Sequence, residues 1–116
     1  MFPDSHNCFG RIKTGCDLES LATQLSNRGW RTRFQAASSQ GPECLRVESD
    51  VVELQFEPSD GDQHLFNGAF DGSLGEDALA KLSSDFRELQ IPHRFELYDD
   101  SDSLHREFKF PDTFLR

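Results

Sequence analysis

Residues 73–110 read SLGEDALAKLSSDFRELQIPHRFELYDDSDSLHREFKF, and they predict a helix followed by two strands. Ser73 and Glu76 have the spacing of a capping box, in which each side chain satisfies a free N–H of the first helical turn. An apolar stripe at helical spacing predicts the face that packs on a core. This stripe consists of Leu79, Leu82, Phe86 and Leu89. Pro92 cannot continue a helix and restricts the residue before it, so we expect the helix to end near Gln90.

After Pro92 the apolar residues alternate with a period of two, which predicts a hairpin of two strands. A four-residue loop at residues 99–102 sets a register that keeps the apolar side chains on one face. The predicted cross-strand pairs are Leu97–Leu104, Phe95–Arg106, Glu96–His105 and Arg94–Glu107.

The earlier part of the chain predicts one more helix and four more strands. We expect this helix to be capped by Thr14 or Asp17 and to end at Gly29. The strands are expected at residues 30–37, 44–48, 52–56 and 64–70, with Val47 opposite Val52 and Leu45 opposite Leu54. Gly68 is interpreted as a bulge, and residues 1–13 as an arm or an edge strand.

These elements predict a single α+β domain over residues 1–116. The order α-β-β-β-β-α-β-β, with short connections, predicts a mainly antiparallel sheet of about six strands, built as a meander with both helices on one face. Shifting the sequence by about 61 residues aligns the two helix–hairpin units, which indicates an αββ pseudo-repeat.

Composition limits the kind of partner. With 21 acidic and 12 basic residues, the net charge is −9, and the calculated pI is about 4.7. Binding duplex nucleic acid or an anionic membrane needs a basic surface, so we expect neither partner. A basic protein or peptide is the partner that this charge favours.

The three cysteines, Cys8, Cys16 and Cys44, have no zinc-binding spacing, so we expect no metal and no cofactor. The N-terminus has no signal-peptide pattern, and no segment is long and apolar enough for a membrane span. We therefore expect reduced thiols and a cytoplasmic location.

Acidic residues are concentrated in turns and at the start of the second helix. In an up-and-down sheet these segments lie at one end, where they would attract a cationic partner. The candidate binding residues are Glu48, Asp50, Asp71, Glu76, Asp77, Asp99, Asp100 and Asp102. Asp also suits turns and helix starts for local reasons, which is the alternative explanation.

The second candidate site is a pocket on the last hairpin. Glu96 opposite His105 resembles a carboxylate-oriented general base, with Tyr98 nearby. Arg106 occupies an inner-face position, where its stem would cover apolar surface or its head would bind an anion. The residues of this possible pocket are Arg94, Glu96, Tyr98, His105 and Arg106. It supports the alternative function, a small enzyme.

The segments 44–47, 52–56 and 65–66, together with the small size and low pI, resemble the secretion-chaperone class of acidic protein-binding dimers. Small immunity proteins that neutralise basic toxins share these gross properties, so we assign neither family. The expected function is a non-enzymatic module that binds a basic protein or peptide, and a homodimer is a further possibility.

Overall fold

The computed structural model describes residue 2 and residues 4–111. Met1, Pro3 and residues 112–116 lie outside this part, including the first residues of the predicted arm. The described elements, in chain order, are β1 (Ser5–Lys13), α1 (Leu18–Ser26), β2 (Arg31–Gln35), β3 (Cys44–Glu48), β4 (Val52–Pro58), β5 (Gln63–Asp71), α2 (Gly72–Glu88), β6 (His93–Tyr98) and β7 (Leu104–Phe110).

The strands form one antiparallel sheet of seven strands in the order β2-β3-β4-β5-β1-β6-β7, and both helices pack on one face. The predicted α+β class and helix placement are confirmed, but the number of strands is seven rather than six. The additional strand is β1, which is neither an arm nor an edge strand. It pairs with β5 on one side and β6 on the other. The alternation of apolar and polar residues in β1 was hard to recognise, because Gly10 lies on the core face and the apolar Phe9 lies on the other face.

The sheet is a meander only in part. Strands β2 to β5 follow one another, but β1 separates β5 from β6, so α2 crosses over β1 to connect them. Likewise α1 carries the chain from β1 across three strands to the β2 edge. The two αββ units of the proposed pseudo-repeat therefore end in hairpins at opposite edges of the sheet.

Both helices bury the stripes that the sequence predicts. In α1, Asp17 is the N-cap and accepts a 2.8 Å hydrogen bond from the backbone N–H of Ser20. In α2, the expected capping box is wrong, since the N-cap is Asp71 and no side chain caps the helix. Glu76 instead bonds to side chains of β7. The α2 helix ends as expected, with Gln90 in the left-handed region (φ 59°).

The register predicted for the last hairpin is wrong by two residues. The N–H of Asp99 bonds to the carbonyl of Ser103, which makes the loop longer than expected. A bulge follows, and Leu97 then pairs with Arg106. Glu96 therefore lies opposite Glu107 and not His105.

The β3–β4 register is also displaced by two residues, because the turn forms one residue later than predicted. Ser49 N–H bonds to the carbonyl of Val52, which pairs Val47 with Leu54. The expected bulge at Gly68 is absent from the described ladders, since this residue pairs regularly with Cys8 and Leu54.

One core lies between the sheet and the helices. An aromatic group at its centre contains Phe56, Phe66, Phe86 and Phe95, with ring-centroid distances of 4.6 to 6.4 Å. His93 is fully buried beside them. Its Nδ1 donates to the carbonyl of Ile91 at 3.0 Å, so its Nε2 accepts from the hydroxyl of Ser83 at 2.6 Å.

Candidate functional site

Strands β3, β5 and β6 run in the same direction, so their final residues lie at one end of the sheet, and β1 begins there. We call this the acidic end. It contains the β3–β4 turn, the start of α2 and the β6–β7 turn, which carry all eight predicted carboxylates. The start of β1 adds His6, and the residue before this strand adds Asp4. The backbone N–H of Asp4 bonds to the Asp71 carboxylate at 3.1 Å, which holds β1 against the start of α2.

His6 lies between two carboxylates. Its Nε2 is 3.2 Å from Oδ1 of Asp4, and its Nδ1 is 3.2 Å from Oδ1 of Asp100. The Asp100 contact is an ion-pair distance but lacks hydrogen-bond geometry. The ring stacks on Phe70, its cross-strand neighbour, at a centroid distance of 5.4 Å. His6 thus links the start of β1 to the β6–β7 turn.

Glu76 holds the start of β7 against α2. Its Oε1 lies 2.6 Å from His105 Nε2, and its Oε2 accepts a 2.8 Å hydrogen bond from Arg106. Burial opposes ionisation of this carboxyl, but the hydrogen bonds from Arg106 and His105 outweigh it and lower the pKa of Glu76. The Arg106 guanidinium also stacks on the Phe108 ring at 4.4 Å, so its stem covers apolar surface as one interpretation predicted.

Two further predicted acids have local partners. Asp99 accepts hydrogen bonds from Ser101 and Ser103, and these bonds lower the pKa of Asp99. Asp50 forms an exposed ion pair with Arg31 at 3.1 Å. The acids of the acidic end that pair with no Lys or Arg among residues 4–111 are Asp4, Glu48, Asp71, Asp77, Asp99, Asp100 and Asp102.

A cleft of about 280 Å³ opens at this end of the sheet. Asp4, Phe70, Glu76, Tyr98 and Asp99 line it. The Phe70 ring stacks on His6, whereas the Tyr98 ring packs against Phe9 on the opposite face of the sheet. His6 and His105 also line it. An apolar slot with a carboxylate rim accepts a side chain that has an aliphatic stem and a cationic head.

Asp4, His6 and Asp100 form the one group in the described part of the chain whose ligand atoms are close enough to share a metal ion, within 4.8 Å. The two carboxylates approach different ring nitrogens of His6, however. A metal ion needs both carboxylates beside the same nitrogen. The arrangement therefore fits a histidine between two carboxylates better than a metal centre.

The second predicted pocket is divided between two places. Arg94 and Glu96 lie on the sheet face opposite the helices, where Arg94 pairs with Glu107 at 2.9 Å. Tyr98 donates a 2.9 Å hydrogen bond to Glu96, which raises the pKa of the phenol. His105 and Arg106 instead belong to the acidic end. The structure therefore does not assemble Glu96 with His105 or Arg106.

Sequence reasoning missed Asp4, His6 and Phe70 as members of the cleft. Asp4 and His6 could not be placed because β1 has no turn linking it to either neighbour. The sequence placed Phe70 on the same face of its strand as Phe66, but it did not decide whether that face packs on the core.

No protein-family model, curated protein or solved structure that we compared with the chain matches it significantly. In the described part of the chain, neither helix is long and apolar enough to cross a membrane. The site's own geometry is therefore the basis for a function.

Proposed function

We propose that this protein is a non-enzymatic module that binds a basic protein or peptide through its acidic end. A Lys or Arg side chain of the partner enters the cleft. The observation that carries the proposal is the cleft itself, which His6 and Phe70 line together with the acidic residues Asp4, Glu76 and Asp99.

Two interactions support binding of such a side chain. Its aliphatic stem would lie in the cleft beside His6 and Phe70, while its cationic head would reach Asp4 or Asp100. The side chains of these two acids are 64% and 78% exposed, so they reach a partner without rearrangement of the core. The net charge of −9 would also accelerate the approach of a cationic partner.

Small immunity proteins and secretion chaperones are the functional classes that this proposal favours. The three cysteines are free, and two of them are half-buried, which fits a reducing compartment such as the cytoplasm. The alternative enzyme hypothesis loses its key pair, because Glu96 and His105 lie at different sites.

The proposal is tested with a fluorescent peptide of alternating Arg and Gly, titrated with the protein at low and at about 0.5 M salt. A matched peptide with Gln in place of Arg is the neutral control. We expect binding of the Arg peptide at low salt only. Changing Asp4→Asn and Asp100→Asn together should weaken binding about tenfold. Asp99 is kept because its carboxylate holds the turn together.

The matched control is the double variant Asp60→Asn and Asp62→Asn. It removes the same charge from the β4–β5 turn, at the opposite end of the sheet. This control should bind within about twofold of the original protein. Equal loss of affinity in both double variants would mean that net charge alone attracts the peptide, and the cleft proposal would then be rejected.

A further inference from the structure

The face of the sheet opposite the helices, here called the outer face, has an apolar centre. Phe9 on β1 and Leu65 on β5 are 49% and 41% exposed there. Seven of the 12 Lys and Arg residues also belong to this face. They are Arg11, Lys13, Arg31, Arg33, Arg46, Arg94 and Lys109. The helices cover the other face, so the outer face is the open one.

Like charges are direct cross-strand neighbours on the outer face. Arg33 lies opposite Arg46, and Arg11 opposite Arg94. Such pairs destabilise a sheet unless other charges compensate. Among the described residues, no carboxylate pairs with Arg11, Arg33 or Arg46. These guanidinium groups are therefore available to anionic groups outside the chain.

The charges separate along one row of the sheet, although Arg94 and Lys109 of the neighbouring row pair with Glu107. The ladder registers define a middle row that crosses all seven strands. From the β2 edge to the β7 edge this row is Arg33, Arg46, Gln55, Asn67, Phe9, Glu96 and Glu107. One edge of the row is thus cationic and the other is anionic. If a second copy is rotated by 180° and placed against the first, its anionic end meets the cationic end of the first copy.

The half-turn that matches the charges has its axis parallel to β5, the central strand of the seven. This rotation places β3 of one copy over β6 of the other, and β2 over β7. Arg46 then faces Glu96 of the second copy, and Arg33 faces its Glu107. The Arg33–Arg46 pair is thus compensated by two carboxylates of the second copy.

The three central strands of a neighbouring row obey the same rule without having been used to choose the axis, although Arg94 and Lys109 at the end of this row meet no carboxylate. Glu57 of β4, Leu65 of β5 and Arg11 of β1 are cross-strand neighbours in this row. The rotation places β4 over β1, so Glu57 faces Arg11 of the second copy. Leu65 lies next to the axis and faces Leu65 of the second copy. The apolar contact is therefore at the centre, with ion pairs on both sides.

We propose that two copies of this chain associate face to face through their outer faces, about a two-fold axis parallel to β5. The second copy is the partner because Arg33, Arg46 and Arg11 would meet its carboxylates across the axis, with Leu65 at the centre. Isologous contacts of this kind are the commonest in soluble oligomers.

The outer face is large enough for such an interface. Seven strands spaced at about 4.8 Å and five residues long cover roughly 30 by 17 Å, within body extents of 35 × 33 × 25 Å. This projected area is about 500 Å². The accessible surface of the side chains on it is larger and approaches the ~800 Å² that each partner buries in a standard interface. The strands of two packed sheets cross at about −30°. Because of this angle, the predicted ion pairs close to the axis stay in contact, whereas the pairs at the outermost strands are farther apart.

The dimer leaves the acidic end free. An axis parallel to the strands keeps both acidic ends on the same side of the assembly, so two clefts would face one partner. The dimer itself rests only on the outer face and is independent of the proposed function.

Sedimentation velocity across a concentration series tests the proposal with a charge exchange at Arg11 and Glu57. Neither residue forms an ion pair within the described part of the chain. Arg11→Glu alone and Glu57→Arg alone each place like charges opposite each other at both symmetric contacts. We expect each variant to dissociate at least tenfold more readily than the original protein. An equimolar mixture restores both ion pairs, so a heterodimer should form.

Two further variants complete the test. Leu65→Asp should also yield monomers, because it places two carboxylates beside the axis. Glu19→Arg makes the same charge change as Glu57→Arg at an exposed position of α1 and should leave the dimer intact. The proposal is wrong if the original protein is monomeric up to about 1 mM. It is also wrong if a dimer persists in Arg11→Glu and Leu65→Asp, or if the mixture fails to restore it.

Discussion

The indole N–H of Trp30 donates a 2.9 Å hydrogen bond to the Asp85 carboxylate, which ties the residue before β2 to helix α2. Helical spacing places Asp85 on the polar side of α2, yet it is only 7% exposed. Lys81 and Arg28 also contact its carboxylate, at 2.9 and 3.5 Å. One buried carboxylate thus joins α2 to the segment between α1 and β2.

Asp85→Ala should lower the free energy of unfolding by about 2 to 3 kcal/mol, because the indole N–H and two cations lose their shared partner. Asp85→Asn keeps an acceptor for Trp30 and should cost less. Urea denaturation measures both. Asp77→Ala removes an exposed acid from the same helix and should change stability by about 0.5 kcal/mol or less. Equal losses for Asp85→Ala and Asp77→Ala would show that the buried contact contributes nothing.

Stability should fall as the pH is lowered from 7 to 5 because of His93. Burial disfavours the imidazolium form and lowers the pKa of His93 from the ordinary value of 6.5. The unfolded chain then binds a proton that the folded chain does not, so stability is complete above pH 6.5 and decreases below it. The slope contributed by one such group reaches at most about 1.4 kcal/mol per pH unit.

The measurement is a series of urea denaturations between pH 7 and pH 5 on the original protein and on His93→Gln. We expect the variant to be less stable at pH 7 but to have a flatter pH dependence. His105→Gln is the comparison, because His105 is exposed and bonded to Glu76. If the free energies of unfolding of the original protein and His93→Gln changed equally with pH, His93 would not be the cause of the pH dependence.

Gly68→Ala should destabilise the sheet severely. A Cβ at this position would lie 1.9 Å from the backbone oxygen of Glu53, so β4 or β5 must shift. Overpacking of this kind costs at least about 1 to 3 kcal/mol. Gly15→Ala is the matched control, since no atom lies within 4 Å of its added Cβ. Thermal unfolding should show a large loss of Tm for Gly68→Ala and little change for Gly15→Ala. Similar Tm values would mean that β4 and β5 are less closely packed than described.

Two thiols should react with a disulfide reagent under native conditions, and the third should not. Cys8 is fully buried, and burial raises the pKa of its thiol to about 12. Cys16 and Cys44 are half-buried and accessible. Reaction at pH 8 should therefore release two equivalents rapidly, with a third appearing only in denaturant. Cys8→Ala should leave the rapid phase unchanged. A rapid phase of three equivalents would contradict the burial of Cys8.

Much of the fold followed from local pattern. The apolar stripes located both helices, and alternation assigned the buried side chains of most strands. The hairpin registers could not be read in the same way. A displacement of two residues keeps every side chain on its face, so the pattern of Leu45, Val47 and Val52 is satisfied equally well by both registers. Turn hydrogen bonds at Ser49 and Asp99 decided between them.

The acidic end was also partly predictable. Strand direction alternates along a simple sheet, so three acidic segments were expected at one end, and the actual order places them there. The loss of the Glu96–His105 pair followed directly from the displaced register.

The sequence by itself determined which residues form helices, which faces of the elements are apolar and where the carboxylates concentrate, because these depend on neighbours along the chain. Tertiary structure decided that β1 is a central strand, that Asp85 is buried and that His6 lies between Asp4 and Asp100. It also decided which side chains share the cleft. These relationships join residues far apart in the chain, and their energies come from packing and cross-strand pairing, which no local period encodes.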